Sequence, residues 1–203
     1  MVKSLDMKKI LVLLLIFPLI FSCKKEEEEP EPDVAMNYAP SVGAGKIALH
    51  HDDYNTDAPI MEPGTYEMAA RFSATDITSA SNGELVAIQY YTELKPHQAE
   101  LRIYTGGFNA PESVVYTADL IPDMNTNSWN THEMLDSIPM EAPIWIGIWF
   151  QVLGEAKYIG CDPGPANENG DWMFSEADGD WERFETRTGT SINWNIRGVI
   201  LPE

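Results

Sequence analysis

Short segments in which apolar and polar residues alternate recur through most of the chain. Residues 98–104 give the clearest case, and Gly106 and Gly107 end the pattern. The most apolar segment is residues 144–152. As a strand it would place aliphatic residues and Phe150 on one face. Trp145 and Trp149, four positions apart, would lie on the other face. This segment is therefore expected at the centre of a sheet.

About ten such segments are separated by turn residues, at spacings of roughly 8 to 15 residues. No stretch after the N-terminal apolar run shows a convincing helical period. The pattern predicts an all-β chain folded as an antiparallel β-sandwich of the jelly-roll type. The predicted strands are residues 46–50, 65–72, 85–91, 98–104, 113–117, 129–135, 144–152, 171–175, 181–184 and 193–200.

The N-terminus has the pattern of a secretion signal. Lys3, Lys8 and Lys9 precede an apolar run at residues 10–21, which is too short to span a bilayer as a helix. The residues before Cys23 resemble the lipobox of bacterial lipoproteins, although Phe21 is larger than usual there. That resemblance implies that residues 1–22 are removed and that Cys23 is acylated on sulfur and amine. An ordinary signal peptide with a bystander cysteine, or an uncleaved anchor, is the alternative.

A charged, proline-containing segment follows Cys23. Lys24 and Lys25 precede four glutamates, and Pro30 and Pro32 favour an extended chain. The block resembles the lysine-plus-acid export tag of some Gram-negative lipoproteins, which implies an outer-membrane lipid anchor exposed at the cell surface. Residues 23–42 are predicted to be an acidic tether, and residues 43–203 a single binding domain.

The charge balance excludes one class of partner. The chain has 13 basic and 32 acidic residues, a net charge of −19. Removal of residues 1–22 takes away three lysines and Asp6, which leaves 10 basic and 31 acidic residues, or −21. Such a chain repels nucleic acid and anionic lipid, so we expect no nucleic-acid partner and attachment to the membrane through the lipid alone.

A second resemblance covers residues 46–201. The segments YEMAARF, AELRIYTGG, PESVVYTADL, IWIGIWF, CDPGPANENGD, DGDWERF and NWNIRGVI, in this order, resemble a jelly-roll module of bacterial surface proteins. That module occurs in gingipain-type adhesin regions and is similar to galactose-binding-like sandwiches. The resemblance implies attachment or an accessory role and brings no catalytic residues with it. We expect the module here to stand on a lipid anchor without an attached protease domain.

Two loops rich in oxygen ligands form a candidate calcium site, because calcium accepts 6 to 8 oxygens in flexible geometry. The same residue types also favour turns for local reasons, so a purely structural role stays open. The candidate ligands are Asp162, Asn167, Asn169, Asp171, Asp178 and Asp180.

Other polar groups are interpreted more simply. His50, His51, Asp52 and Asp53 would alternate between two faces of a strand, so one zinc ion could not easily collect all four. Cys161 is interpreted as a small buried hydrophobe rather than a nucleophile. Arg197, on an otherwise apolar strand, is interpreted as an internal ion-pair partner of one of the many acids.

Tryptophans beside acids and amides suggest glycan binding, since ring faces stack on sugars while polar groups bind hydroxyls. Core packing is the alternative for each ring. We therefore expect a noncatalytic surface lipoprotein that binds a glycan or a host or cell-surface protein. A small extracellular hydrolase, carbohydrate-active or peptidase-associated, and a structural subunit of an envelope assembly are the alternatives. The candidate ligand-binding residues are Trp145, Trp149, Trp172 and Trp181.

Overall fold

A computed structural model describes residues 37–203 apart from Ser81. The predicted signal peptide, Cys23 and most of the predicted tether lie outside this part of the chain. The described residues form strands, one short helix and one 3-10 turn at Thr78–Ala80. The elements are β1 Ile47–Leu49, β2 Ile60–Met61, β3 Gly64–Phe72, β4 Glu84–Thr92, β5 Gln98–Thr105, β6 Ser113–Asp119, β7 Ser128–Pro139, β8 Ile144–Val152, β9 Ala156–Lys157, β10 Trp172–Ser175, β11 Trp181–Arg183, α1 Phe184–Thr188 and β12 Ile196–Leu201.

The strands form two main antiparallel sheets. One has four strands in the order β1-β12-β4-β7, and the other has six in the order β11-β10-β3-β8-β5-β6. Strands β2 and β9 form a separate short pair. Strand β12 packs against β3 and β8 of the six-stranded sheet. The predicted all-β antiparallel sandwich is thus confirmed. No helix of the described residues is long and apolar enough to cross a membrane.

Strand β8 has the predicted bounds and lies inside the six-stranded sheet, between β3 and β5. The residues of its inward face are all buried in the main core: Ile144, Ile146, Ile148, Phe150 and Val152. Alternate residues of β3 and β5 join them, including Met68 and Leu101. The other face of this sheet, turned away from the four-stranded sheet, is called the outer face below.

The segment before β1 contacts the outer side of the four-stranded sheet. The carbonyl of Asn37 accepts a hydrogen bond from Trp129 Nε1, and the carbonyl of Pro40 accepts one from Gln89 Nε2. Asn37 and Pro40 fall within the predicted tether, residues 23–42, and both pack on the sandwich. Asp52, in the segment between β1 and β2, is fully buried, and its carboxylate pairs with Arg197 Nη2 of β12 at 2.7 Å. The interpretation of Arg197 as an internal ion-pair partner is confirmed.

The ion pair of Asp52 and Arg197 should be a large contributor to stability. Asp52→Asn would leave the Arg197 guanidinium buried without its counter-charge, which typically costs about 3–5 kcal/mol. We expect the free energy of unfolding, measured by urea denaturation, to fall by that amount, so that the midpoint moves to lower urea with an unchanged slope. Asp53→Asn is the matched control, because the Asp53 side chain is exposed. Equal stability of the two variants would contradict the expectation.

Candidate binding face on the six-stranded sheet

A row of aromatic and acidic residues crosses all six strands on the outer face. The register places these residues opposite one another in turn, from β11 to β6. In an antiparallel sheet such cross-strand partners point to the same side and lie about 4.5–5.5 Å apart at Cβ. The row therefore forms one continuous strip of side chains, and its members are Trp181, Phe174, Glu67, Trp149, Glu100 and Asp119.

Glu67 lies at the middle of this row and is only 2 % exposed. Tyr104 donates a hydrogen bond to its Oε1 at 2.7 Å, and Arg102 Nη1 donates to its Oε2 at 3.2 Å. Its carboxylate extends over Gly147 of β8, where a Cβ atom would overlap Oε1. Position 147 therefore requires glycine, because a side chain there would overlap the Glu67 carboxylate. The Glu67 carboxylate lies in a depression that the neighbouring strand leaves open.

Burial raises the pKa of Glu67 from 4.5 to about 7, although the hydrogen bond from Tyr104 and the charge of Arg102 act in the opposite direction. Burial also raises the pKa of Tyr104, and the adjacent Glu67 carboxylate adds to that shift. Arg102 links the centre of the row to its edge, because its Nε donates to Glu100 Oε1 at 2.6 Å. Its guanidinium also lies over the Trp149 ring, 4.9 Å from the centroid.

A cavity of about 390 Å³ opens at the β6 end of the row. Trp149 forms one wall, and the carboxylates of Glu100 and Asp119 lie on neighbouring strands. His97, Gln98, Ala99 and Ile121 complete the lining. The cavity thus combines one aromatic ring with several hydrogen-bonding groups, which is a composition typical of a site for a small polar ligand.

The four candidate tryptophans differ in exposure. Trp145 and Trp172 are buried against each other, with ring centroids 5.2 Å apart, and Trp145 Nε1 donates to the carbonyl of Gly107. Trp149 and Trp181 are half-buried. The structure therefore presents Trp149 and Trp181 on the outer face, with Trp145 and Trp172 packed beneath and beside Trp181.

Sequence reasoning did not single out Glu67, Arg102, Glu100 or Asp119. A signal was present for Glu67, which with Arg71 is one of two charged residues in the mostly apolar segment YEMAARF. For Arg102, Glu100 and Asp119 the missing information was the strand register, which brings β5 and β6 alongside Trp149 of β8.

Five of the six predicted calcium ligands bond to other protein groups. Asp162 accepts hydrogen bonds from the backbone N–H groups of Gly164 and Asn193. Asp171 pairs with Arg183, and Asp178 pairs with Arg187. Asn169 Oδ1 accepts from Arg71, Asn167 Oδ1 accepts from the backbone of Asn169, and Asp180 is exposed. Among the described residues, no group of three or more His, Cys, Asp or Glu side chains could hold a metal ion. Calcium binding stays a prediction.

The environments of Cys161 and His51 do not favour a nucleophilic or metal-binding role. Cys161 is buried, as interpreted from the sequence, and burial raises its pKa to about 12. A nucleophilic cysteine needs the opposite shift, because the thiolate is the attacking species. His51 Nε2 lies 2.8 Å from the carbonyl oxygen of Arg71, while Asp52 pairs with Arg197.

No protein family and no curated protein matches this sequence. A clostridial cysteine protease, Cwp84, solved as a cysteine-to-alanine variant after propeptide cleavage, has a similar fold over part of its length. The match has a TM-score of 0.57 and 9% sequence identity, and it covers 79% of this chain and 41% of that one. At this identity the likeness concerns the fold alone. This chain spans less than half the length of that protease.

The raised pKa of Glu67 has a measurable consequence. Between about pH 4.5 and pH 7 the folded state holds this proton more tightly than the unfolded state, so the contribution of Glu67 to stability falls as pH rises. Glu67→Gln removes that titration while keeping an oxygen that accepts from Tyr104. We expect the stability of the variant relative to wild type to increase by about 3 kcal/mol from about pH 4 to pH 8.

Urea unfolding of both proteins across this pH range measures the difference directly. Glu100→Gln is the matched control, since Glu100 also contacts Arg102 but is more exposed, with a side-chain exposure of 38%. A pH-independent difference between Glu67→Gln and wild type would contradict the raised pKa.

Proposed function

We propose that this protein is a noncatalytic, surface-anchored binding module that recognises glycans through the outer face of its six-stranded sheet. The observation that supports the proposal most directly is the cavity beside Trp149. There, a half-buried ring, two carboxylates and an amide side chain face the same space of about 390 Å³.

The chemistry of this cavity suits a sugar. The apolar face of a pyranose packs on an indole ring, while its hydroxyl groups donate to carboxylates and amides. Arg102 holds Glu100 and lies against Trp149, so both groups are positioned before a ligand arrives. Ordering that is already complete in the free protein lowers the cost of binding.

A hydrolase on the same scaffold is the second candidate. Glu100 and Asp119 are direct cross-strand neighbours in the same cavity, which places their Cβ atoms about 4.5–5.5 Å apart, and retaining glycosidases use a pair of closely spaced carboxyl groups. Like charges placed opposite each other destabilise a sheet, so a functional reason for the pair is worth testing. The edge position of β6 and the exposure of Asp119 favour binding, because a general acid needs a desolvated site.

The glycan proposal predicts a loss of binding when Trp149 is truncated. The full chain and its Trp149→Ala variant are applied to an array of neutral and acidic glycans, and affinities for any positives are measured by calorimetry. We expect the variant to bind about tenfold or more weakly, because the stacking surface is removed.

Leu135→Ala is the matched control, since Leu135 is 95% exposed on β7 of the other sheet. A clean negative across the array for wild type would refute glycan recognition. Release of reducing sugar from a bound glycan, abolished by Glu100→Gln, would instead establish the hydrolase.

The anchoring part of the proposal rests on Cys23 and the segment around it, which lie outside the described residues. We expect wild-type protein to fractionate with outer membranes as a shortened, acylated chain, and Cys23→Ala to lose the acyl groups. Membrane fractionation with mass spectrometry of the N-terminus checks this, and protease treatment of intact cells checks surface exposure. An unshortened, unacylated wild-type chain would contradict the anchor.

A further inference from the structure

Among the described residues, Arg71 differs from the other arginines in having no acidic ion-pair partner. The chain has five arginines, all in the described part. Arg102, Arg183, Arg187 and Arg197 each form at least one ion pair with a carboxylate. In a chain with a net charge of −19, acids are abundant, and Arg71 still forms no ion pair within the described residues.

The Arg71 guanidinium is nevertheless held firmly. Its Nε and Nη2 both donate to Asn169 Oδ1, and its Nη1 donates to the carbonyl oxygen of Phe108 at 2.6 Å. The Phe108 ring lies 4.4 Å from the guanidinium carbon and the Trp145 ring lies 5.9 Å from it. All these partners are neutral, so the geometry fixes the cation without cancelling its charge.

A buried cation is costly unless it is compensated. Arg71 is only 4% exposed. The nearest acid in its network is Asp76, which Asn169 Nδ2 contacts at 3.2 Å, so Asn169 separates the two charges. Arg183, whose pKa is lowered by burial and less strongly by Arg71, is already paired with Asp171 and Glu185. Its charge is therefore compensated, whereas Arg71 contacts no carboxylate among the described residues.

Arg71 also lines a cavity of about 160 Å³. Ser73, Ala74, Ala142 and Pro143 form its walls, and Phe108, which is 73% exposed, stands at its edge. A guanidinium has five N–H groups, and the hydrogen bonds to Asn169 and Phe108 use three of them. Two N–H groups remain for a ligand.

We propose that Arg71 binds the carboxylate of an acidic sugar residue, so that the glycan recognised by this module is a uronate-containing one. This inference rests on the proposed glycan-binding function. A planar carboxylate matches the planar guanidinium and supplies the missing negative charge. The exposed Phe108 ring offers an apolar surface to the sugar that bears the carboxylate.

The position of Arg71 relative to Trp149 fits an extended ligand. Arg71 is paired with Trp145, which is four residues from Trp149 along β8, a separation of about 13 Å at 3.3 Å per residue. One oligosaccharide lying along the outer face could therefore contact both places. Beyond about 8 Å the repulsion from distant acids is largely screened at physiological salt.

The test compares sugars that differ only at one carbon. A galactose oligosaccharide that ends in a single galacturonate and its neutral counterpart of equal length, together with glucuronate and glucose, are titrated into the full chain at constant ionic strength by calorimetry. The ¹⁵N–¹H signal of Arg71 Nε is followed in parallel. We expect the acidic member of each pair to bind at least tenfold more tightly and to shift the Arg71 signal.

Two variants separate a binding role from a structural one. Arg71→Lys keeps the charge but loses the bidentate geometry, and we expect it to lose at least tenfold in uronate affinity while neutral sugars are unaffected. Phe108→Ala changes an exposed ring and should weaken uronate binding severalfold in a folded protein. If Arg71→Lys does not fold, the uronate affinity of Phe108→Ala and the shift of the wild-type Arg71 signal still test the proposal.

The outcomes distinguish this inference from the proposed function. Equal binding of acidic and neutral sugars, dependent on Trp149, would overturn the role of Arg71 and leave glycan recognition intact. Uronate binding that neither shifts the Arg71 signal nor responds to Phe108→Ala would also overturn it. No binding of any sugar would remove both proposals.

Discussion

The structure depends on the two-residue period of the central strand β8. Because successive side chains of a strand point to opposite sides, its aliphatic residues enter the sandwich core while Trp145, Gly147 and Trp149 form the middle of the outer face. A shift of one residue in the pairing with β3 or β5 would exchange these faces. The same constraint that closes the core therefore aligns Glu67, Trp149 and Glu100 in one row.

The abundance of acids shapes how the few arginines are used. Arg197 compensates Asp52 inside the layer that covers the four-stranded sheet, and Arg183 and Arg187 fix the acidic loops around β10 and β11. Arg102 is shared between Glu67 and Glu100, which leaves the outer-face row with more negative than positive charge. Arg71 differs from these arginines, because it donates to an amide and a backbone carbonyl although the chain is rich in carboxylates.

Much of the fold was predictable from the sequence, because strand alternation and turn residues are local signals. The bounds of β8 were predicted without error, and most other strands within a few residues. Strand β12 begins at Ile196 rather than at residue 193, since residues 193–195 bond to the segment 160–162: the N–H of Asn193 donates to Asp162 Oδ1 and the N–H of Asn195 donates to the carbonyl of Gly160. The two-residue strands β2 and β9 were not predicted, since segments so short have no period.

The candidate site was less predictable, because it depends on pairings between distant segments. The alternation showed correctly that Trp145 and Trp149 leave the core on the same side. It could not show that Trp145 would be covered, since Trp172 and Trp181 reach it from β10 and β11. The predicted ion pair of Arg197 was correct in kind, but its partner Asp52 lies 145 positions away, and no local pattern identifies it.

The burial of Trp145 changes what the outer face can do. Its ring lies 5.9 Å from the Arg71 guanidinium, which also contacts the Phe108 ring at 4.4 Å, so a residue expected to contact a ligand is instead buried beside an arginine. Trp149 is left half-exposed, with Arg102 on its ring and an open cavity beside it. Two tryptophans on the same strand face thus have different roles, and the difference arises from what the flanking strands place over each ring.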